Sequence, residues 1–570
     1  MTTNLHIGAR PDGWWKSAVV YQVYPRSFSD SNGDGIGDIP GITSRLDYLA
    51  ELGIDVLWLS PVYRSPQKDN GYDISDYQDI DPLFGTLEEL DELMDKVHAR
   101  GMKLVMDLVV NHTSDQHPWF REARDPRSSK RDWYIWRPAC EGHTPGELGA
   151  EPCVMEASFS PSAWTYDPTS GEYYLGIFSP GQPDLNWENP EVRAAVYEMM
   201  RWWVKRGVDG FRMDVINLIS KPEWLTSGEP LPAIAPNHSM QNGPRLDEFL
   251  QEMHREVGLS ENSLFTVGEM PGATVEVAQN VTDPARHELN MVFTFEHVDL
   301  DRVPGGHKWD LAPLELPKLK GNLAHWQEGL EEAGWNSLYW DNHDQPRAVS
   351  RFGNDSPEFR VASAKTLATV LHLHKGTPYV YQGEEVGMTN APFQRIEDYE
   401  DIESINHYNL ASADGVPEEA ILHSLLVKSR DHARTPMQWD ASENAGFTSG
   451  TPWFALNPNY PEINAEAVVG DPDSVFHHYR QLIELRHADE TVREGRFQLL
   501  LADHTQIWAF TRTLGDRTLL VIANCSSEDV EIPTEDLPVL EGAKLVFGTR
   551  VLDSVSTLAP WESQVLELAR

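Results

Sequence analysis

The 570-residue sequence predicts an α/β protein: a (β/α)8 TIM barrel with an inserted subdomain after strand three and a C-terminal antiparallel β-domain. Three observations predict it. Eight short apolar runs, each closing on a polar or acidic residue, recur along the first two-thirds of the chain. Helical patterns lie between them. The interval after the third run, residues 111–208, is about twice as long as most others and lacks a long helical period.

The runs are Ala18–Tyr24, Val56–Ser60, Lys103–Val110, Asp209–Val215, Leu264–Met270, Met291–Glu296, Ser337–Asp344 and Thr377–Glu385. Continuous apolar runs rich in β-branched and aromatic residues suit strands buried on both faces of a parallel sheet. Between them, Thr86 opens a helix with a capping box to Glu89, Leu90, Leu93, Met94 and Val97 recur at helical spacing, and Gly101 stops it. Asn189 with Pro190 opens another that ends near Gly207. Eight strand–helix repeats argue for closure into a barrel; an open doubly wound sheet is the alternative.

Domain bounds follow. Residues 1–111 and 182–486 form the barrel, 112–181 the inserted subdomain, and 390–439 a second insertion after strand eight. Short alternating strands around the turn Leu514-Gly515-Asp516 place the β-domain at 487–570.

Composition excludes several classes. A net charge of −43 repels phosphate backbones and anionic headgroups, so neither nucleic acid nor a membrane surface is an expected partner. Three cysteines (Cys140, Cys153, Cys525) are too few for a disulfide scaffold, although a Cys140–Cys153 bridge is one option. The N-terminal residues lack the apolar core of a signal peptide, and no run reaches the ~20 apolar residues of a membrane span. The expected location is the cytoplasm.

Barrel enzymes place their chemistry at the C-terminal ends of the strands. Five ends carry conspicuous polar residues: Asp107…Asn111-His112, Arg212…Asp214, Glu269, Asp341-Asn-His-Asp344 and Glu384-Glu385. There is no pair of histidines at zinc-ligand spacing, no G-x-S-x-G elbow and no glycine-rich phosphate loop. A carboxyl pair flanking an acetal remains, which is the requirement of glycoside cleavage. Tyr72, Phe178, Trp58 and Trp340 are candidate sugar-stacking aromatics.

At these segments the chain resembles a known family. Asp107–Ser114, Gly210–Asp214, Val267–Met270 and Asp341–Arg347 are similar to the four signature regions of the α-amylase family, glycoside hydrolase family thirteen. Gln182–Trp187 resembles a fifth region of its oligo-1,6-glucosidase branch. The resemblance implies that Asp214 is the nucleophile, Glu269 the general acid/base and Asp344 the holder of the sugar's 2- and 3-hydroxyls. It implies a one-glucose pocket built by Asp69, Tyr72, His112, Phe178, Gln182, Arg212, His343 and Arg434, with Arg434 pairing Asp69 at a closed floor. Arg212, two residues before Asp214, shares its strand face and is expected to lower the Asp214 pKa; nearby anions are expected to raise that of Glu269.

Val215, directly after the nucleophile, accompanies α-1,6 preference in this branch. The loop Asp30-Ser-Asn32-Gly-Asp34-Gly-Ile36-Gly-Asp38 alternates hard oxygen donors. The resemblance implies that Asp30, Asn32, Asp34, Asp38 and the Ile36 carbonyl hold a structural Ca²⁺. The implied function is an exo-acting, retaining α-glucosidase that hydrolyses short isomalto-oligosaccharides as a monomer or homodimer, without an organic cofactor. Alternatives on the same scaffold are an α-1,4- or sucrose-preferring glucosidase, a sucrose isomerase or transglucosylase, and a trehalose-6-phosphate hydrolase. A non-catalytic binding relative would lack the catalytic set.

Overall fold

All eight predicted runs contain strands of one parallel sheet: β1 (Val20–Val23), β2 (Val56–Leu59), β3 (Lys103–Val109), β4 (Gly210–Asp214), β5 (Phe265–Glu269), β6 (Met291–Phe293), β7 (Ser337–Leu338) and β8 (Thr377–Tyr381). The computed structural model describes residues 13–227, 230–549 and 556–569. Neighbours pair in the order β6-β5-β4-β3-β2-β1-β8-β7, and a parallel bridge between Val292 and Asn336 joins β6 to β7. That bridge closes the ring, so the sheet is a barrel rather than an open doubly wound sheet.

Local chemistry sets the helices. Thr86 and Glu89 form a reciprocal capping box on helix Leu87–Ala99, which buries Leu90, Leu93, Met94 and Val97. Asn189 caps helix Pro190–Arg206, and Gly207, at φ 120°, ends it in a conformation that suits glycine. Registers β3–β4 and β4–β5 set Asp107 beside Arg212 and Val267 beside Arg212. The polar ends of three adjacent strands therefore meet on one rim.

The inserted segment folds on its own small antiparallel sheet of Trp136–Arg137, Glu172–Leu175 and Trp164–Asp167. Its core, with Ile135, Trp164, Tyr173 and Ile177, also takes in Val215 and Leu218 from the loop after β4. The second insertion carries helices Ile402–Ala413 and Glu418–Lys428.

The C-terminal boundary is later than 487, because helix Val475–Ala488 runs through that point and Glu490–Glu494 follows it. The β-domain starts with β9 (Arg496–Leu500) and continues through β10 (Ile507–Leu514), β11 (Arg517–Asn524), β12 (Lys544–Gly548) and β13 (Ser563–Glu567), paired in the order β9-β10-β11-β13-β12. The two-residue hairpin between β10 and β11 turns at Gly515, with φ 57°. Cys140, Cys153 and Cys525 are all free thiols, so the optional bridge does not form. No helix among the described residues is long and apolar enough to cross a membrane.

One buried lysine fastens the β-domain to the barrel. Lys320 is fully buried, and its ammonium donates to the carbonyls of Leu501, His504 (2.6 Å) and Ile507 (2.9 Å). Removing the donor leaves buried acceptors unpaired, at about 1–3 kcal/mol. Lys320→Met is therefore expected to lower the thermal midpoint, read by calorimetry, while leaving turnover at 25 °C unchanged.

Candidate active site

Strand β4 alternates faces, so Arg212 and Asp214 point the same way. The guanidinium lies between three carboxyl groups: Nη1 reaches Asp107 Oδ1 at 2.8 Å and Asp214 Oδ1 at 2.7 Å, and Nη2 reaches Glu269 Oε2 at 2.7 Å. Arg212 is 1% exposed, and the side chains of Asp214 and Glu269 are 9% and 10% exposed. The carboxyl pair thus occupies a nearly dry site, where Coulombic and hydrogen-bond terms outweigh their values in water.

The titration order follows from this burial. Burial raises Glu269 to about 8; Arg212 opposes that rise, and the nearby Asp214 and Asp344 charges add to it. Asp214 is raised to about 6, again by burial, with Arg212 opposing and Asp107 adding. The expected lowering of Asp214 is thus corrected: Arg212 offsets burial without overcoming it. The order still holds, since the proton leaves Asp214 first and stays longer on Glu269.

On the facing side, Asp344 meets Arg434 Nη2 at 2.9 Å and Arg430 Nη1 at 3.1 Å. Burial alone would raise its pKa, but His343, Arg430 and Arg434 together hold it far below the usual carboxylate range. His343 is neutral, because burial pushes its pKa down to about 3. Gln22 Nε2 donates to its Nδ1 at 2.8 Å, so the ring proton lies on Nε2, 2.7 Å from the Tyr72 hydroxyl and 3.1 Å from Asp344 Oδ2. Tyr72 in turn donates to Asp107 Oδ2 at 3.2 Å and lies parallel to the His343 ring.

Asp69 accepts from Gln182 Nε2 at 2.9 Å, while Gln182 lies 3.3 Å from His112 Nε2. Phe178 packs on His112 at 5.1 Å between ring centroids. Burial raises Asp69 to about 7 against the field of Arg430. The implied Asp69–Arg434 pair is not what forms. Arg430, one helical turn earlier, reaches Asp69 Oδ1 at 3.3 Å, whereas Arg434 takes Asp344 and Asp401. Asp401 explains the exchange, since it caps helix Ile402–Ala413 and holds both guanidiniums in place.

The geometry therefore gathers Asp69, Tyr72, His112, Phe178, Gln182, Arg212, Asp214, Glu269, His343, Asp344 and Arg434 in one connected network. Two aromatics fall outside their expected role. Trp58 is buried under the site, donating to Asp107 at 3.1 Å, and Trp340 packs on Phe352 and Trp508 toward the β-domain. Asp107, Gln22, Arg430 and Asp401 were missed as site residues. Asp107 carried a signal, an acid inside an apolar run; Arg430 and Asp401 find their partners only through the fold.

Val215 turns the chain sharply after Asp214. Its φ and ψ are 36° and 43°, and among the described residues it is the one β-branched residue with positive φ. Such a conformation costs about 1–3 kcal/mol and needs support from its surroundings. Support comes from the subdomain core that buries its side chain.

The loop at 30–38 coils through successive side-chain turns. Asp30 Oδ1 accepts from the amide of Asn32, Asn32 Oδ1 from that of Asp34, and Asp34 Oδ1 from that of Ile36, each at 2.9 Å. Asp38 caps the helix that begins at Ile39. Among the described residues, no three Asp, Glu, His or Cys side chains converge as metal ligands. A cation at this loop would rely on the Asn32 amide oxygen and main-chain carbonyls besides carboxylates.

A parallel eight-stranded barrel with two buried carboxyl groups at its C-terminal rim, Glu269 holding its proton to higher pH than Asp214, suits a glycoside hydrolase. The Alpha-amylase family profile (alpha amylase, catalytic domain) matches residues 22–495, and the chain belongs to the α-amylase family, in its oligo-1,6-glucosidase branch. It is 56% identical over 528 residues to an oligo-1,6-glucosidase of Halalkalibacterium halodurans, covering 92% of each chain. It is 54% identical to one of Parageobacillus thermoglucosidasius over 565 residues, 97% of this chain and 99% of the other. The crystal structure of Bacillus licheniformis trehalose-6-phosphate hydrolase superposes with a TM-score of 0.90 at 46% identity, covering 98% of this chain and 100% of that one.

In the roles that the family resemblance implies for them, Asp214 is needed ionised and Glu269 protonated. The kcat/KM profile on an aryl α-glucoside is therefore expected to be bell-shaped, rising through an apparent value near 6 and falling through one near 8, both belonging to the coupled pair. A profile flat from pH 5 to 9 would contradict this assignment.

Proposed function

We propose that the protein is an exo-acting, retaining α-glucosidase that removes terminal α-1,6-linked glucose from isomaltose and short isomalto-oligosaccharides. The observation that carries the reading is Arg212, whose two nitrogens hold Asp214 and Glu269 within one guanidinium's reach. Asp214 attacks the anomeric carbon while Glu269 protonates the departing oxygen. Glu269, now ionised, deprotonates the water that cleaves the glucosyl ester. Asp344, kept ionised by Arg430 and Arg434, accepts from sugar hydroxyls. The Asp69–Arg430 contact supports a closed pocket floor and hence attack from the chain end.

Two lines support α-1,6 preference: the two relatives above are oligo-1,6-glucosidases, and Val215 follows the nucleophile. The structural neighbour brings trehalose-6-phosphate into view. Against it, Arg212, Arg430 and Arg434 are each already paired with carboxylates, which lowers the attraction of the pocket for a phosphate. The three free thiols suit a reducing cytoplasm. Monomer and homodimer are both compatible with a one-sugar pocket.

Asp214→Ala and Glu269→Gln are each expected to cut turnover at least about a thousandfold with the circular dichroism unchanged. Near-normal rates in both would remove the site assignment. Initial rates on isomaltose, maltose, sucrose and trehalose-6-phosphate test the linkage: isomaltose leads, and a maltose rate well above it would overturn α-1,6 preference.

The donor set at 30–38 is chemically suited to Ca²⁺, with Asp30, Asn32, Asp34, Asp38 and the Ile36 carbonyl as its ligands. Bound there, the ion supplies charge neutralisation to a loop packed on residues 447–451, where Thr448 donates to Asp30. Chelation by EGTA is expected to lower the thermal midpoint in the wild type and to leave Asp34→Ala unaffected.

A further inference from the structure

Glu269 can serve as an acid only if its proton sits on the oxygen that faces the leaving group. Two donors converge on Oε2: Arg212 Nη2 at 2.7 Å and the backbone N–H of Val215 at 3.1 Å. An oxygen that accepts the amide's hydrogen bond and also lies against a guanidinium nitrogen is disfavoured as the protonated one. We propose that the left-handed turn at Val215 makes its amide a positioning group, which ties down Oε2 and leaves Oε1 as the proton-bearing oxygen of the acid. This rests on the glycosidase reading above and deepens it.

The backbone, and not the side chain, makes this contact. The turn after Asp214 reverses the chain into the short helix Ile216–Leu218; the Val215 N–H points across to Glu269 on β5, and its φ of 36° lets the following chain and the side chain leave toward the subdomain. The side chain acts as an anchor: it is 8% exposed and held in the core of the inserted subdomain with Trp164, Ile177 and Leu218. Subdomain packing thereby fixes the orientation of the acid. In the first step, the Oε1–H bond breaks and its proton goes to the glycosidic oxygen. The C1–O bond then breaks as C1 bonds to an Asp214 oxygen. In the second step, Oε1 recovers a proton from the attacking water as the water oxygen bonds to C1 and the C1–O bond to Asp214 breaks, which returns the free carboxylate.

The charged groups facing Glu269 are Arg212 and Asp214 on β4, Asp107 on β3 and Asp344 after β7. All of them remain when only the amide is altered. A hydrogen bond from Val215 N–H favours the ionised carboxylate, so its loss raises the Glu269 pKa. A merely structural loosening that admits water would lower it.

Two measurements test this. In the wild type, the Val215 amide proton resonance, selected by Asp–Val labelling together with Val56 and Val530 and distinguished by its loss when an ester replaces that amide, is expected to move with the pH limb near 8 and to stop doing so in Glu269→Gln. An amide that does not respond in the wild type overturns the proposal. Replacing Val215 by α-hydroxyisovaleric acid, which exchanges the N–H for an ester oxygen, is expected to lower kcat about tenfold and to raise the basic limb by about 0.5–1 pH unit. Val215→Ala keeps the N–H but loosens its anchor, and is expected to move the basic limb less than the ester does. An ester limb that stays put or falls overturns the proposal. Either failure would leave the acid assignment standing, because that falls only if Glu269→Gln remains active.

Discussion

One guanidinium organises this molecule. Arg212 lies nearly dry among Asp107, Asp214 and Glu269, so one positive charge faces three acids. Three ionised carboxylates around a single cation in a low-dielectric site would leave two uncompensated charges, a cost that a buried site removes by keeping a proton. Burial raises all three acids, and their partners differ in how far they offset it. Asp107 has Trp58 and Tyr72 as further donors, while Glu269 has the Val215 amide on the oxygen it shares with Arg212 and a side-chain hydrogen bond with Asp214. The raised proton affinity of Glu269 is thus a consequence of burial first and of the surrounding acid charges second.

The same logic separates the two ends of the pocket. Asp344 faces two arginines and a neutral histidine, and Asp401 holds both arginines from behind. Excess positive charge keeps this acid ionised, whereas burial, with the Asp214 and Asp344 charges adding to it, favours the proton on Glu269. Four carboxylates on one rim thereby take different states without differing in residue chemistry.

The barrel and its rim were legible in the sequence because both depend on local pattern. Apolar runs mark doubly buried strands, and an acid at the end of a run marks the rim; Asp214 and Glu269 announce themselves in this way, and Asp107 as an acid inside its run. What the sequence did not carry is pairing over long separations. Arg430 and Arg434 occupy the same helical face one turn apart, and only the path of the second insertion decides which of them meets Asp69. The sign of the Asp214 shift was hidden for a related reason: the sequence places a guanidinium nearby but does not reveal how much water the fold removes. The β-domain boundary was set too early because alternating strands mark where a sheet begins and not where the preceding helix, Val475–Ala488, stops.

Val215 joins these levels. Its side chain belongs to the core of the inserted subdomain, its carbonyl starts a short helix, and its amide touches the acid on the next strand. A β-branched residue held at positive φ is stable only because its packing over-determines it. The subdomain therefore cannot be a passive cover over the pocket. Any change in how it seats on β4 alters the direction of one N–H, and with it the oxygen of Glu269 that carries the proton. Substitution at this residue consequently acts on the wall beside the leaving group through the side chain, and on the acid through the backbone.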